Sequence, residues 1–314
     1  MRIVFAGTPA VAVPAFEALL ESDHEVIAVL TRPDAPVGRK RVLTPSPVKE
    51  RALAAGIPVL EADRLRGEIL DELAGLDPDA VAVVAFGAIA GPRALSISAH
   101  GWYNLHFSLL PQWRGAAPVQ RALMSGQTTS GITVFRIDTG MDTGPVLAQQ
   151  ELELPSAPAG EVLDSYARTG AALLVRAFDQ LADGTAELTP QQGESSHAEK
   201  ITPDEAALAF ASTTSEIVAR ANGVTPAPGP WALMDGRRTK LSGISPGGDP
   251  SSAAWQQPGR LAADADGTVL IGTSDGAVAV ERIQPFGKPM MDAADFLRGR
   301  GQAAFDTSEE PADA

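Results

Sequence analysis

Three polar residues of this 314-residue chain, Asn104, His106 and Asp142, are of types that could act together in one reaction. The first two stand two apart in NLHFSLLPQWRGAAPVQRAL, inside an apolar run of strand character. Side chains alternate along a strand, so Asn104 and His106 share one face while Tyr103, Leu105 and Phe107 fill the other, and both polar tips can meet one bound atom. Asp142 follows thirty-eight residues after Asn104, in RIDTGMDTGP. A donor amide, an imidazole that titrates near neutrality and a carboxylate together suit acyl transfer without a covalent intermediate. Nothing beside them offers a nucleophile elbow, so the nucleophile is expected from the substrate. Asp-Thr-Gly also marks aspartic proteases, but those need carboxylates from separate lobes, and Asp138 and Asp142 are four residues apart. Two plainer readings stay open: a strand histidine hydrogen-bonded within the core, and aspartates that close Asx-type turns.

The elements that must position these residues are legible as alternation. Strand-length apolar runs (RIVFAG, EVIAVLT, IPVLEA, DAVAVVAF, NLHF, GITVFRI) alternate with helix-like segments such as PAFEALLES and RLRGEILDELAGL, the signature of a parallel sheet wrapped by helices. DAVAVVAF is apolar almost throughout, as a central strand covered on both sides should be. The run NLHF ends at Leu-Leu-Pro, and a helix is expected to start at PVQRALMSG, with proline in its first turn. GEVLDSYARTGAALLVRAFDQLADG reads as a long amphipathic helix packed back on the sheet. We therefore expect a Rossmann-like domain over 1–184 and a polar, proline-containing linker over 185–203. Short strands with Asp-Gly and Gly-Gly turns predict a small antiparallel barrel over 204–305. Residues 306–314 hold four acids and no base and are expected to be a disordered tail.

Composition narrows the possible functions. With no cysteine, disulfides, thiolate zinc sites and cysteine nucleophiles are excluded. A formal net charge of −14 argues against a surface that grips nucleic acid as a whole, because phosphate attraction needs a positive footprint. A local footprint exists, since the segment from Thr31 to Arg51 carries six Lys or Arg against two acids. It reads either as a phosphate-facing loop or as a solvated one. The Gly7-Thr8-Pro9 turn lacks the Gly-x-Gly-x-x-Gly spacing of a dinucleotide site and is read as structural. MRIVFAGTP fits a first strand better than a signal peptide, and no apolar stretch is long enough to span a bilayer, so a cytoplasmic protein is expected.

At these residues the chain resembles the methionyl-tRNA formyltransferase family. NLHFSLLPQWRGAAPVQRA with DTGMDTGP carries the likeness, joined by FAGTP near the start, TRPDAPVGRKRVLTPSPVK in the basic loop, VVAFGAI before the site and IQPFGKPMMDAADFLRG near the end. Asn-x-His and Ser-Leu-Leu-Pro are shared by formyltetrahydrofolate-using relatives in general; the Trp-Arg-Gly-Ala-Ala-Pro-Val-Gln-Arg run and Pro-Ser-Pro-Val-Lys are narrower. Gln112 and Phe107 depart from the usual residues at their positions. The resemblance implies a Rossmann-like formyltransferase domain with a mostly parallel sheet and a C-terminal β-barrel of the oligonucleotide-binding type. It also implies transfer of the formyl group of 10-formyltetrahydrofolate to the amino group of methionyl initiator tRNA, with Asn104, His106 and Asp142 catalytic. Phe86, Gly87, Ala88 and Ile89, with Ser108, Leu109, Leu110 and Pro111, would hold the folate co-substrate. Arg39, Lys40, Arg41 and Lys49 would meet the tRNA. No metal is expected, and a monomer is. A formyltransferase acting on a sugar nucleotide or small amine, and a non-catalytic folate-binding protein, are the alternatives.

Overall fold

A computed structural model describes residues 1–38, 40–248 and 257–306; Arg39 and the acidic tail from residue 307 onward lie outside the described residues. Two compact units interleave along the chain. Met1–Pro118, Thr129–Glu153 and Leu163–Ala198 form the first, and Val119–Thr128, Leu154–Val162 and the residues from Glu199 onward the second.

In chain order the first half runs β1 (Arg2–Gly7), α1 (Val13–Leu20), β2 (Glu25–Thr31), β3 (Ala35–Val37), β4 (Val42–Thr44), α2 (Pro47–Ala54), β5 (Val59–Glu61), α3 (Glu68–Gly75) and β6 (Ala80–Val84). It continues through α4 (Pro92–Leu95), β7 (Gly101–His106), β8 (Arg114–Gly115), α5 (Pro118–Met124), β9 (Thr129–Arg136), β10 (Val146–Glu153), α6 (Ala159–Ala182) and β11 (His197–Ala198). The main sheet has the order β10-β9-β7-β6-β1-β2-β5. Pairings from β5 to β7 are parallel, and β9 turns the sheet antiparallel at β7. All five residues of β6 are buried, which is why its sequence is apolar on both faces.

Alternation along β7 divides the core. Trp102 joins Val4, Ala6, Leu30, Val81 and Val83 on one face. On the other, Tyr103 meets Phe178 of α6 edge-on at 5.9 Å between ring centroids. Each of these fully buried aromatic side chains contributes about 1.5–3 kcal/mol by leaving water. Helix starts follow local chemistry: Ser46 caps α2 by accepting from the Lys49 amide, with proline in the first turn.

The second unit continues with α7 (Thr214–Gly223), β12 (Trp231–Met234), β13 (Arg237–Gly247), β14 (Leu261–Ala263), β15 (Val269–Gly272), β16 (Ala277–Gln284), β17 (Met291–Asp292) and α8 (Ala293–Arg300). Its antiparallel sheet has the order β12-β13-β16-β15-β14, with β17 beside β16. Phe210, Ile217, Leu241, Ile271, Val278, Ile283 and Phe296 are among its core residues. A capping box between Thr213 and Glu216 opens α7. Among the described residues, no helix is long and apolar enough to cross a membrane.

Candidate active site

β7 delivers two site residues to the sheet's carboxyl edge, where ligands of α/β folds bind. Asn104 pairs in register with Val83 and Phe135, and His106 with Thr133. His106 is buried, with its ring edge-on to Phe135 at 6.3 Å. Its Nε2 lies 2.9 Å from the Trp113 carbonyl oxygen. A carbonyl only accepts, so Nε2 carries the proton and Nδ1 presents its lone pair. Burial holds this imidazole below its usual pKa, against the opposing pull of the Asp142 carboxylate and the Trp113 carbonyl. It is therefore neutral at pH 7.

Asp142 arrives from the loop between β9 and β10, and its Oδ2 is 3.9 Å from His106 Nδ1. That is beyond a direct hydrogen bond. The same oxygen accepts the Gly115 N–H at 2.8 Å. Asp142 has a φ of 54°, a left-handed conformation that aspartate tolerates better than most residues. Asp138 closes the turn instead, with Oδ1 accepting from the Gly140 amide and the Thr143 hydroxyl.

The loops expected to hold folate leave neighbouring strands β6 and β7. Phe86 is buried in the core below the first loop, and its carbonyl accepts from Thr8 Oγ1 at 3.0 Å. The Arg32 guanidinium reaches the Gly87 carbonyl at 3.3 Å. Gly87 is exposed, Ala88 partly so, and the Ile89 side chain stands 88% exposed. In the second loop Ser108 and Leu110 are buried, Leu109 is partly exposed and Pro111 buried. Thr133 ties this loop to the sheet: its Oγ1 donates to the Ser108 carbonyl at 2.6 Å and accepts from the Leu110 amide at 3.2 Å and Gln149 Nε2 at 2.9 Å. The backbone carbonyls of Phe86, Ser108, Leu110 and Pro111 accept hydrogen bonds from within the protein, whereas the Ile89 side chain, and Leu109 in part, are open to solvent.

The basic loop is a hairpin of β3 and β4, whose turn carries exposed Lys40 and Arg41. Val37, Val42 and Leu43 of this hairpin are more than half exposed. Lys49 lies elsewhere in its chemistry: Nζ bridges Asp34 at 2.6 Å and Glu61 at 2.9 Å, and those hydrogen bonds raise its pKa.

Several residues of the site went unread in the sequence. Trp113 supplies the carbonyl that fixes the histidine tautomer and is itself held by its amide donating to Ser196 Oγ at 2.9 Å. Gly115 has a φ of 129°, and a Cβ there would lie 2.6 Å from the Ala198 carbonyl oxygen, so only glycine fits. Its Arg-Gly context was the one local signal. Gln191 and Ser196 come from the polar stretch between α6 and the second unit, where nothing local marks them. Two Gly-x-Ser-x-Gly spacings do occur, at 243–247 and 272–276. They fall on β13 and in the β15–β16 turn, without the strand-to-helix elbow that exposes a nucleophile. No group of three or more His, Asp or Glu among the described residues could hold a metal ion.

Matches to known families define the class, a formyl transferase of two parts. The formyl transferase family pattern matches residues 1–178, and the formyl transferase C-terminal domain pattern residues 200–301. A methionyl-tRNA formyltransferase of Arthrobacter sp. (strain FB24) is 47% identical over 96% of this chain and 97% of its own length. The chain belongs to the methionyl-tRNA formyltransferase family. Solved structures share the fold at lower identity. A methionyl-tRNA formyltransferase from Clostridium thermocellum superposes with a TM-score of 0.56 at 15% identity, covering 79% of this chain and 94% of that one. HypX from Aquifex aeolicus in complex with tetrahydrofolic acid gives a TM-score of 0.67 at 18% identity, over 95% of this chain. This chain spans 47% of HypX.

Proposed function

We propose that the protein transfers the formyl group of 10-formyltetrahydrofolate to the α-amino group of methionine esterified to initiator tRNA, for translation initiation. The observation that carries it, in a chain of this family, is the facing pair at the end of β7. The His106 Nδ1 lone pair and Asp142 Oδ2 confront each other across 3.9 Å. A donor seated to one side, about 2.8–3.0 Å from each, can bridge two acceptors so placed, and an amine supplies the two N–H groups this takes.

A free α-amino group titrates at about 7.7–8.0, so an appreciable fraction is neutral and nucleophilic at physiological pH. Its nitrogen attacks the formyl carbon, the C=O π pair moves to oxygen, and the tetrahedral intermediate carries an oxyanion and an ammonium. The Asn104 amide, half-buried on the same strand face as His106, donates to the oxyanion. His106 Nδ1 takes the proton from the ammonium; the imidazolium so formed is stabilised by Asp142 and donates to the oxyanion in its turn. Collapse breaks the bond to the folate nitrogen, which receives that proton, leaving formylmethionyl-tRNA and tetrahydrofolate. Backbone groups of Phe86–Ile89 and Ser108–Pro111 orient the folate, with Ile89 and Leu109 flanking it. Arg39, Lys40 and Arg41 meet tRNA phosphates or base edges. Lys49 joins them by exchanging its two carboxylates for phosphate. Residues 204–305 add further contacts to the tRNA, and the enzyme acts as a cytoplasmic monomer.

The test is incubation with 10-formyltetrahydrofolate and either methionyl initiator tRNA, an aminosugar nucleotide or free methionine. Formylmethionyl-tRNA is the expected product. Formylation of the sugar nucleotide alone, or of no acceptor, rejects the proposal.

A further inference from the structure

Asp142 is held at both ends by one short strand. Gly115 of β8 donates its N–H to the carboxylate, and the neighbouring Arg114 reaches the Asp142 backbone through Gln191. Gln191 Nε2 donates to the carbonyl of Asp142 at 2.8 Å and to that of Gly144 at 2.9 Å. Gln191 Oε1 accepts from Arg114 Nε at 3.1 Å and Nη2 at 2.6 Å. Both amide hydrogens and both carbonyl lone pairs of Gln191 are thereby used, so its rotamer and flip state are determined. The carbonyls it gathers are that of left-handed Asp142 itself and that of Gly144 two residues on, so it pins the chain leaving Asp142, whose conformation persists only where surrounding contacts over-determine it.

Resting on the proposed formyl transfer, we propose that Gln191, braced by Arg114, is a positioning residue that sets the Asp142 carboxylate opposite His106 Nδ1. Gln191 touches neither reacting group. It selects the backbone conformation from which the carboxylate projects, and a displacement of about 1 Å at such a group can cost 10²-fold in rate. Arg114 acts one step further back, by holding the amide carbonyl with a planar fork that no lysine reproduces.

The experiment is steady-state formylation of methionyl-tRNA by Gln191→Met, Gln191→Glu, Arg114→Met and the Gln191→Met/Arg114→Met double variant, with unfolding midpoints alongside. Gln191→Met keeps the bulk and removes the amide; its kcat should fall by about tenfold or more while KM for both substrates stays within about threefold. Gln191→Glu still accepts from Arg114 but turns an oxygen toward the two carbonyls, and should do no better. Arg114→Met should lose less, and the double variant no more than Gln191→Met alone, since both act on one path. A folded Gln191→Met with kcat within about threefold of the parent overturns the proposal. So does a loss confined to KM, which would mark a substrate contact. Should Gln191→Met unfold at the assay temperature, Arg114→Met decides: unchanged kcat there overturns the coupling. If the parent itself formylates a different amine, the substrate assignment has failed, and the same variants measured on that amine still test the role of Gln191.

Discussion

At the scale of single residues, the proposed transfer requires a histidine kept neutral and a carboxylate kept near it. His106→Ala removes the proton acceptor and Asp142→Asn its electrostatic partner; each should lower kcat for formylation by about 10²–10⁴-fold without loss of fold. Single-turnover rates check this, and a folded variant within tenfold of the parent refutes the role given to that residue. A second consequence concerns pH. His24 is buried beside Asp179 and the Met1 amine, and desolvation lowers its pKa, as burial does for His106. Both groups bind protons more readily in the unfolded chain than in the folded one. Their contribution to stability is therefore full above the unfolded value of about 6.5 and is lost as pH falls toward their lower folded values. Glu205 titrates in a separate window: Arg121 hydrogen bonds, with backbone help from Thr202, hold it at about 2, so its contribution is lost only as pH falls from its ordinary 4.5 toward that value. Urea midpoints measured between about pH 7 and 5 should fall, and fall less in His24→Gln. A parallel fall in the two proteins would count against the histidine.

Elements are the next scale, and here the pairing of β8 with β11 is decisive. Gly115 sits in a conformation that disfavours a side chain, with the Ala198 backbone where its Cβ would go. Gly115→Ala should cost about 1–3 kcal/mol of stability and, by shifting the amide that donates to Asp142, lower kcat beyond what the stability loss explains. Thermal unfolding and kcat on the same sample separate the two effects. The β3–β4 hairpin is a second case. Its exposed Lys40 and Arg41, in a turn between strands that carry exposed valines and a leucine, suit contact with a polyanion that also has flat apolar surfaces. Arg41→Ala should lower kcat/KM for methionyl-tRNA and reduce the steepness of its salt dependence by about one phosphate contact, leaving folate binding unchanged. Normal tRNA kinetics at low and high salt would return the hairpin's charges to the role of a solvated loop.

On the scale of the whole molecule, the two compact units are not consecutive blocks of sequence. Residues 119–128 and 154–162 belong with the second unit, while the first extends to Ala198. A chain ended at Gly193 therefore lacks Ser196, which accepts from the Trp113 amide, and β11, which pairs with β8. It also strips α5 of partners: Met124 packs on a cluster of Ala206, Val224, Trp231 and Leu233. Such a fragment should unfold at a lower temperature than the intact protein and formylate poorly even at saturating tRNA. A fragment as active as the whole chain at saturation would show that the segment 194–198 does not hold the site.

Local chemistry made much of this legible from residue order alone. Apolar runs of the right length marked the strands of the main sheet, because burial on two faces leaves β6 no room for polar side chains, and strand alternation put Asn104 and His106 on one face. Motif spacing placed Asp142 with them. Other features had no local signature, since they depend on chain segments far apart in sequence. That Asp142 lies beside His106 and accepts from the Gly115 amide, while Asp138 closes a turn, shows only once the chain is folded. The protonated nitrogen of His106 follows from the Trp113 carbonyl, and Gln191, in a stretch that reads as a polar linker, clamps the Asp142 peptide. Lys49 shows the same limit from the other side, a cation in a basic run whose charge is taken up by Asp34 and Glu61. Periodicity reports what each segment must bury, whereas the partner of a polar group is decided only when distant segments are brought within about 3 Å of each other.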